Sequence, residues 1–180
     1  ADLHAAFWQS PRLDRDLAEL RSRGPAVERL ANRFVGSIVG KPRGHTADVM
    51  PADLAARCRV VADERAVIDA FWARQPATLC HGDTHFGNLY FEAGRPGFLD
   101  WQAVMVGPGL RDVSYFLCAS VDVGVLEPIE RDLVERYAAR LAGHGIEVDP
   151  ERTWPLYRAS AAEFFVAAVV TAGTSDRMQP

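Results

Sequence analysis

Leu79-Cys80-His81-Gly82-Asp83-Thr84-His85-Phe86-Gly87-Asn88-Leu89 is the stretch that decides how the rest of the chain is read. It starts as a short apolar run, Ala77 to Cys80, and opens into a loop of polar and small residues. Two more short apolar runs follow, Leu89-Tyr90-Phe91 and Gly97-Phe98-Leu99. Glu92-Ala93-Gly94-Arg95-Pro96 between them has the composition of a turn, so the two runs are predicted to pair as a hairpin. The loop His81–Asn88 then lies between strands, and Asp100 lies at the end of one. Loops mounted on short strands are where chemical groups are commonly displayed.

On either side the pattern is helical. Ser10-Pro11 is a helix start, with Ser as N-cap and Pro at the first helical position. Leu13, Leu17 and Leu20 form a stripe closed by Gly24-Pro25. Val27, Leu30, Phe34, Val35 and Ile38 predict a second helix, and Gly40 to Pro51 a loop. From Pro51 the helical period returns, with Val67, Ile68, Phe71 and Trp72 as an apolar face ending before Pro76. After the hairpin, Asp112 is placed to cap a helix through Val113, Phe116, Leu117 and Val121. A longer helix is predicted from Pro128 to Ala142. Ile129, Leu133, Tyr137 and Leu141 face inward there, Arg131/Glu135 and Asp132/Arg136 are paired outside, and Gly143 is the stop. A last helix runs from about Pro155 to Thr171. The fold class is therefore mainly α with a small β-hairpin element.

Composition narrows the function classes. The chain has 180 residues, enough for a sizeable buried core. Its net charge is −4, and its 20 Lys and Arg residues form no basic block, which argues against nucleic acid as a partner. The only lysine is Lys41. Cys58, Cys80 and Cys118 form no Cys-x-x-Cys pair and no even framework, as expected of free thiols in a reducing cytoplasm. Cys80 reads as a small apolar side chain ending a strand. The most apolar stretch, Phe164 to Gly173, is too short to span a bilayer, so no membrane partner is expected.

Several chemistries can be weighed against the loop. Asp83-Thr84-His85 is superficially like the opening of a binuclear metallophosphoesterase site, but the only later histidine, His144, leaves such a site short of ligands. No Gly-x-Ser-x-Gly elbow supports a serine nucleophile. Phosphoryl transfer from ATP asks for positioned metal, positioned phosphates and a group that orients the attacking hydroxyl. Kinases supply part of this with His-x-Asp-x-x-x-x-Asn, then a hairpin and a second Asp. His81, Asp83, Asn88 and Asp100 occur in that order.

Together with Phe98-Leu99-Asp100-Trp101, Gly107-Pro108-Gly109-Leu110-Arg111-Asp112-Val113 and Leu3-His4-Ala5-Ala6-Phe7-Trp8, the loop resembles the aminoglycoside phosphotransferase and choline kinase-like superfamily. The resemblance covers most of the chain but only the C-terminal lobe of that kinase-like fold, whose full form is α+β and bilobal. It implies Asp83 as catalytic base, and Asn88 and Asp100 as ligands of Mg2+. ATP is implied as co-substrate and a small hydroxyl-bearing molecule as acceptor. His81, Gly82, Gly87, His85 and Asp112 would support the loop, the glycines by letting the backbone turn tightly. Trp101 and Gln102 are the candidates to face substrate, with packing under the loop the plainer role for Trp101. Many aminoglycoside kinases carry an acidic residue where Gln102 stands. The glutamine resembles the ecdysteroid kinase-like branch and argues against a polycationic acceptor. No glycine-rich phosphate cover, strand lysine or partner glutamate is evident, and Lys41 sits in a loop-like stretch. The nucleotide-binding lobe is thus expected to precede Ala1, with residues 1–180 as the catalytic lobe, inactive alone. The alternative is a non-catalytic kinase-like binding or scaffold domain.

Overall fold

The computed structural model of the protein describes residues 1–21 and 50–174, with side chains as far as Val169. The helix expected from Val27 to Ile38, the Gly24-Pro25 stop, most of the Gly40–Pro51 loop and Lys41 lie outside the described residues. The chain divides into two units, residues 1–21 with 75–161, and residues 22–74 with 162–180.

In the first unit, helix α1 spans Asp2–Phe7. The Leu13/Leu17/Leu20 stripe does not make an α-helix. Two 3-10 turns, Pro11–Asp14 and Ala18–Arg21, take its place. Ser10 caps the first as expected, accepting from Arg12 N at 3.3 Å. Arg15, at φ −121° and ψ −98°, leaves the helical basin and stops the ladder. Of the three leucines only Leu13 is fully buried.

Strand β1 (Thr78–Cys80) is tied to α1 by Gln9 N donating to Ala77 O at 2.8 Å and by the Thr78 hydroxyl donating to His4 O at 2.7 Å. The predicted hairpin is present as β2 (Leu89–Glu92) and β3 (Arg95–Phe98), antiparallel with Leu89 opposite Phe98. Its turn is only Ala93-Gly94, both at positive φ, which suits the twist of a two-residue hairpin. Pro96 falls inside β3, opposite Phe91, in a two-stranded ribbon where both strands are edges. The sequence pattern gave no warning of strand β4 (Met105–Gly107), which pairs antiparallel with β1, Thr78 opposite Gly107 and Cys80 opposite Met105. Three residues are too few to show a period.

Three further helices and the start of a fourth complete this unit. They are α4 (Leu110–Ser120), α5 (Val123–Leu126), α6 (Glu130–Gly143) and the first half of α7 (Pro150–Thr174). Leu110, Leu117, Leu126, Val134, Tyr137, Leu141 and Tyr157 form the core between them. On α6 the inward residues are Val134, Tyr137 and Leu141, at i, i+3 and i+7. Ile129, expected inside, is 40% exposed because it stands before the helix. Arg131 pairs with Glu135 at 3.1 Å on the outer face. The helix ends at Gly143, but the left-handed residue that turns the chain is Gly145, at φ +78°. Helix α7 begins a turn earlier than predicted. Asp149 accepts from Glu151 N at 2.9 Å and leaves Pro155 inside the helix. Pro155 therefore falls in the second turn, where a proline removes one i→i−4 hydrogen bond of the ladder.

The second unit contains α2 (Ala52–Asp63), α3 (Arg65–Trp72) and the end of α7. Cys58, Val166 and Val169 are its buried cluster. On α3 Trp72 is buried and its indole N–H donates to Glu163 at 2.5 Å, whereas Val67, expected inside, is 64% exposed. No helix among the described residues is long and apolar enough to cross a membrane.

Leu141 is 1% exposed within the first core. Leu141→Ala is expected to lower unfolding free energy by about 2–5 kcal/mol in urea titration. Breaking the solvent-exposed Arg131–Glu135 pair with Arg131→Ala should change it by less than about 1 kcal/mol.

Candidate functional site

Strand β1 delivers Cys80 and His81 into the interior, both with no measurable exposure. The chain then bends at Gly82, which has φ +83°. A Cβ at Gly82 would overlap the carbonyl of Ala103, so only glycine meets both demands. Gly87 differs from expectation. It is not among the left-handed glycines, and a Cβ there would press on the His85 ring at 3.0 Å.

The loop backbone is held from α4. The Asp112 carboxylate accepts from His81 N at 2.7 Å through Oδ2 and from Gly82 N at 2.9 Å through Oδ1. This corrects the expected cap. The N-cap of α4 is Gly109, and Asp112 lies inside the first turn. It is 6% exposed, with its carboxylate turned to the loop rather than to the helix's own amides. His4 Nε2 lies 3.2 Å from Asp112 Oδ2. A carboxylate only accepts, so Nε2–H is the donor there, and the other ring nitrogen meets the Tyr137 hydroxyl at 2.9 Å. Burial pushes the Tyr137 phenol well up, so it keeps its hydrogen. Gly109 lets this cluster close, because a Cβ there would strike the Tyr137 hydroxyl and the His4 ring. The Thr84 hydroxyl donates to Asp112 O at 2.7 Å and ties the loop to α4 a third time.

His81 links the loop to the hairpin. Its Nε2–H donates to Leu99 O at 2.7 Å, and Asp83 N–H donates to its Nδ1 at 3.3 Å. The two bonds fix the tautomer. The ring packs against Phe98 and Trp101, with centroids 5.0 and 4.6 Å away.

Asp83 is thereby brought to the surface of the loop with its side chain 25% exposed. Tyr115 donates to its Oδ1 at 2.8 Å. Asn88 Nδ2 donates to the Asp83 carbonyl at 2.9 Å and to Oδ2 at 3.2 Å. His85 Nε2 lies 3.7 Å from Oδ2, and its Nδ1 accepts from Gly87 N at 3.1 Å. Asn88 is 8% exposed. With its amide hydrogens turned to Asp83, Asn88 has Oδ1 left without a hydrogen bond among the described residues.

Asp100 joins this group through the backbone, since Leu99 N donates to Asn88 O at 2.8 Å. It stands two residues beyond β3 rather than in it, at φ +53° and ψ +74°, and caps the 3-10 turn Trp101–Ala103 through Gln102 N at 3.4 Å. A left-handed non-glycine residue is uncommon and marks a locally demanded conformation. Asp100 and Gln102 are exposed. Trp101 is 40% exposed, meets the His81 ring edge-on at an interplanar angle of 61°, and donates its indole N–H to Phe98 O at 3.2 Å.

Sequence reasoning missed His4, Thr84, Tyr115 and Tyr137. Each lies far along the chain from its partner. The one available signal was Gly109, a glycine before a helix with no turn to explain it. His4, Cys80 and Asp112 place ligand-type atoms within 4.8 Å of one another. All three are already committed to protein partners, the Cys80 thiol meeting Gly107 O and Pro108 O at 3.5 Å. The cluster is a hydrogen-bonded brace.

Asp112→Ala removes the acceptor of two buried amides and should destabilise by about 3–5 kcal/mol, with faster amide exchange at His81 and Gly82. Asp112→Asn should cost less, because one oxygen remains. Burial raises the Cys80 thiol well above its usual range, while Cys118 is exposed. A thiol reagent should therefore label Cys118 in the native protein and reach Cys80 only on unfolding.

Comparison with curated proteins and with solved structures returns no match. A family profile described as "Phosphotransferase enzyme family" matches residues 4–156, a span that runs from His4 through the loop, the hairpin and Asp112 into α7. The match agrees with the aminoglycoside phosphotransferase and choline kinase-like resemblance of the motifs, and the chain belongs to this phosphotransferase family.

Proposed function

We propose that the chain is the catalytic lobe of a phosphotransferase that moves the γ-phosphoryl group of ATP, with Mg2+, to a hydroxyl of a small molecule. The observation that carries this is the state of Asp83. Its carboxylate is hydrogen-bonded on both oxygens yet still reaches solvent, on a loop clamped by Asp112 and His81. A group that must accept a proton from a positioned hydroxyl needs both properties, fixed direction and open access.

Asn88 and Asp100 fit a hard cation by chemistry. Asn88 has its Nδ2 engaged and presents an oxygen, and among the described residues the exposed Asp100 carboxylate carries only the long bond from Gln102 N. Bound there, Mg2+ would neutralise charge on the phosphates. Asp83 orients the acceptor hydroxyl and takes its proton. His81 keeps Asp83 and Asp100 in register, because one ring is bonded to the backbone of both neighbourhoods. A phosphate cover, a lysine and a glutamate would complete the ATP grip, and none of the described residues is assigned to these roles. Gln102 leaves the exposed face beside Asp100 without an added charge, which favours an uncharged acceptor over a polycationic one.

The test uses the full-length protein. Isothermal titration with magnesium-ATP should show binding, and a phosphate-transfer screen over hydroxyl compounds should reveal an acceptor. Asp83→Asn should cut turnover by at least about a thousandfold while nucleotide affinity stays within about threefold. Asp100→Ala should abolish the magnesium dependence of nucleotide binding. Absence of magnesium-dependent nucleotide binding in the wild type would point instead to a scaffold domain.

A further inference from the structure

We propose that Tyr115 is a positioning residue for phosphoryl transfer, its hydroxyl holding the Asp83 carboxylate in the orientation that meets the acceptor. This rests on Asp83 being the base. The two residues are 32 positions apart in sequence and meet at 2.8 Å, with the phenol O–H donating to Oδ1.

The neighbours of Asp83 show why a dedicated group is needed. Asn88 reaches Oδ2 at 3.2 Å, but its amide also serves the Asp83 carbonyl at 2.9 Å. His85 stands 3.7 Å from Oδ2, beyond hydrogen-bond range, and its other nitrogen is occupied by Gly87 N. Among the described residues, Tyr115 makes the one short bond to the carboxylate. It is also mounted on the helix that carries Asp112. It lies one helical turn after Asp112 on α4, so the helix that grips the loop backbone at His81 and Gly82 also grips the reacting side chain. Tyrosine has two side-chain torsions, so its hydroxyl can be placed with little residual freedom.

Tyr115 does not take part in the bond changes. The phenol is pushed up to about 12, first by burial and then by Asp83, so it stays protonated and acts only as a donor. The acceptor oxygen forms its bond to phosphorus as the bond to the bridging oxygen of ADP breaks. The acceptor proton passes to Asp83, and Tyr115 keeps its own.

The experiment compares wild type, Tyr115→Phe, Asp83→Asn and the double variant in the full-length protein, using magnesium-ATP hydrolysis with water as acceptor. Tyr115→Phe keeps the ring and removes only the hydroxyl. It should lower kcat by between about tenfold and a hundredfold, the loss typical of a hydrogen bond to a charged group. KM for magnesium-ATP should stay within about twofold. A second measurement needs no turnover. With tyrosine labelled at Cζ, the Tyr115 carbon resonance, identified by its absence in Tyr115→Phe, should shift in Asp83→Asn. An unchanged resonance, or unchanged kcat in Tyr115→Phe beside an inactive Asp83→Asn, would overturn the role of Tyr115 alone. Wild-type turnover in Asp83→Asn would instead overturn the assignment of the base.

Discussion

The Asp112 carboxylate, buried inside the first turn of α4, takes hydrogen bonds from two successive loop amides and from the His4 ring. Buried amides must find acceptors, and at the bend after β1 no strand partner is left to supply them. One side chain from 30 residues downstream does so. Everything on the outer side of the loop depends on that bond. With the backbone at His81 and Gly82 held, Gly82 can keep its left-handed turn against Ala103, and Asp83 emerges in one direction.

The brace continues inward. His4, from α1, is held between Asp112 and the Tyr137 hydroxyl of α6, while Thr78 bonds to the His4 carbonyl. Helix α1, strand β1, α4 and α6 thus meet at one polar knot set beside the apolar core of Leu110, Leu117 and Leu141. Buried polar networks stabilise only when every member is satisfied, and here each member has its partner. A knot of this kind specifies register more than it adds stability, because an apolar cluster of the same volume would fix no loop direction.

On the outer side His81 performs the second coupling. It bonds to the backbone of Asp83 and of Leu99, so the loop and the end of the hairpin move as one piece. In the proposed reaction this coupling matters, since Asp83 as proton acceptor and Asn88 and Asp100 as cation ligands would have to address the same phosphoryl group. Asn88 shares the task by bonding Asp83 through its side chain and Leu99 through its carbonyl.

The sequence by itself determined the local pieces. The spacing of His81, Asp83, Asn88 and Asp100 marked the candidate site, because motif spacing is a property of the chain. The hairpin was legible from its turn residues, and α6 from its period. What it could not determine were contacts closed by distant residues. Strand β4 is three residues long, too short for a pattern. Asp112 has the default use of a carboxylate at a helix start, the family resemblance adds support of the loop, and packing keeps only the second. The Leu13/Leu17/Leu20 stripe had the period of a helix, but with one leucine to bury, the turn geometry at Arg15 prevailed. Tyr115 resembled any aromatic on an amphipathic helix. Only the tertiary structure decided that its hydroxyl meets Asp83, because hydrogen bonds between segments depend on how helices pack, and packing is not written in the spacing of either segment alone.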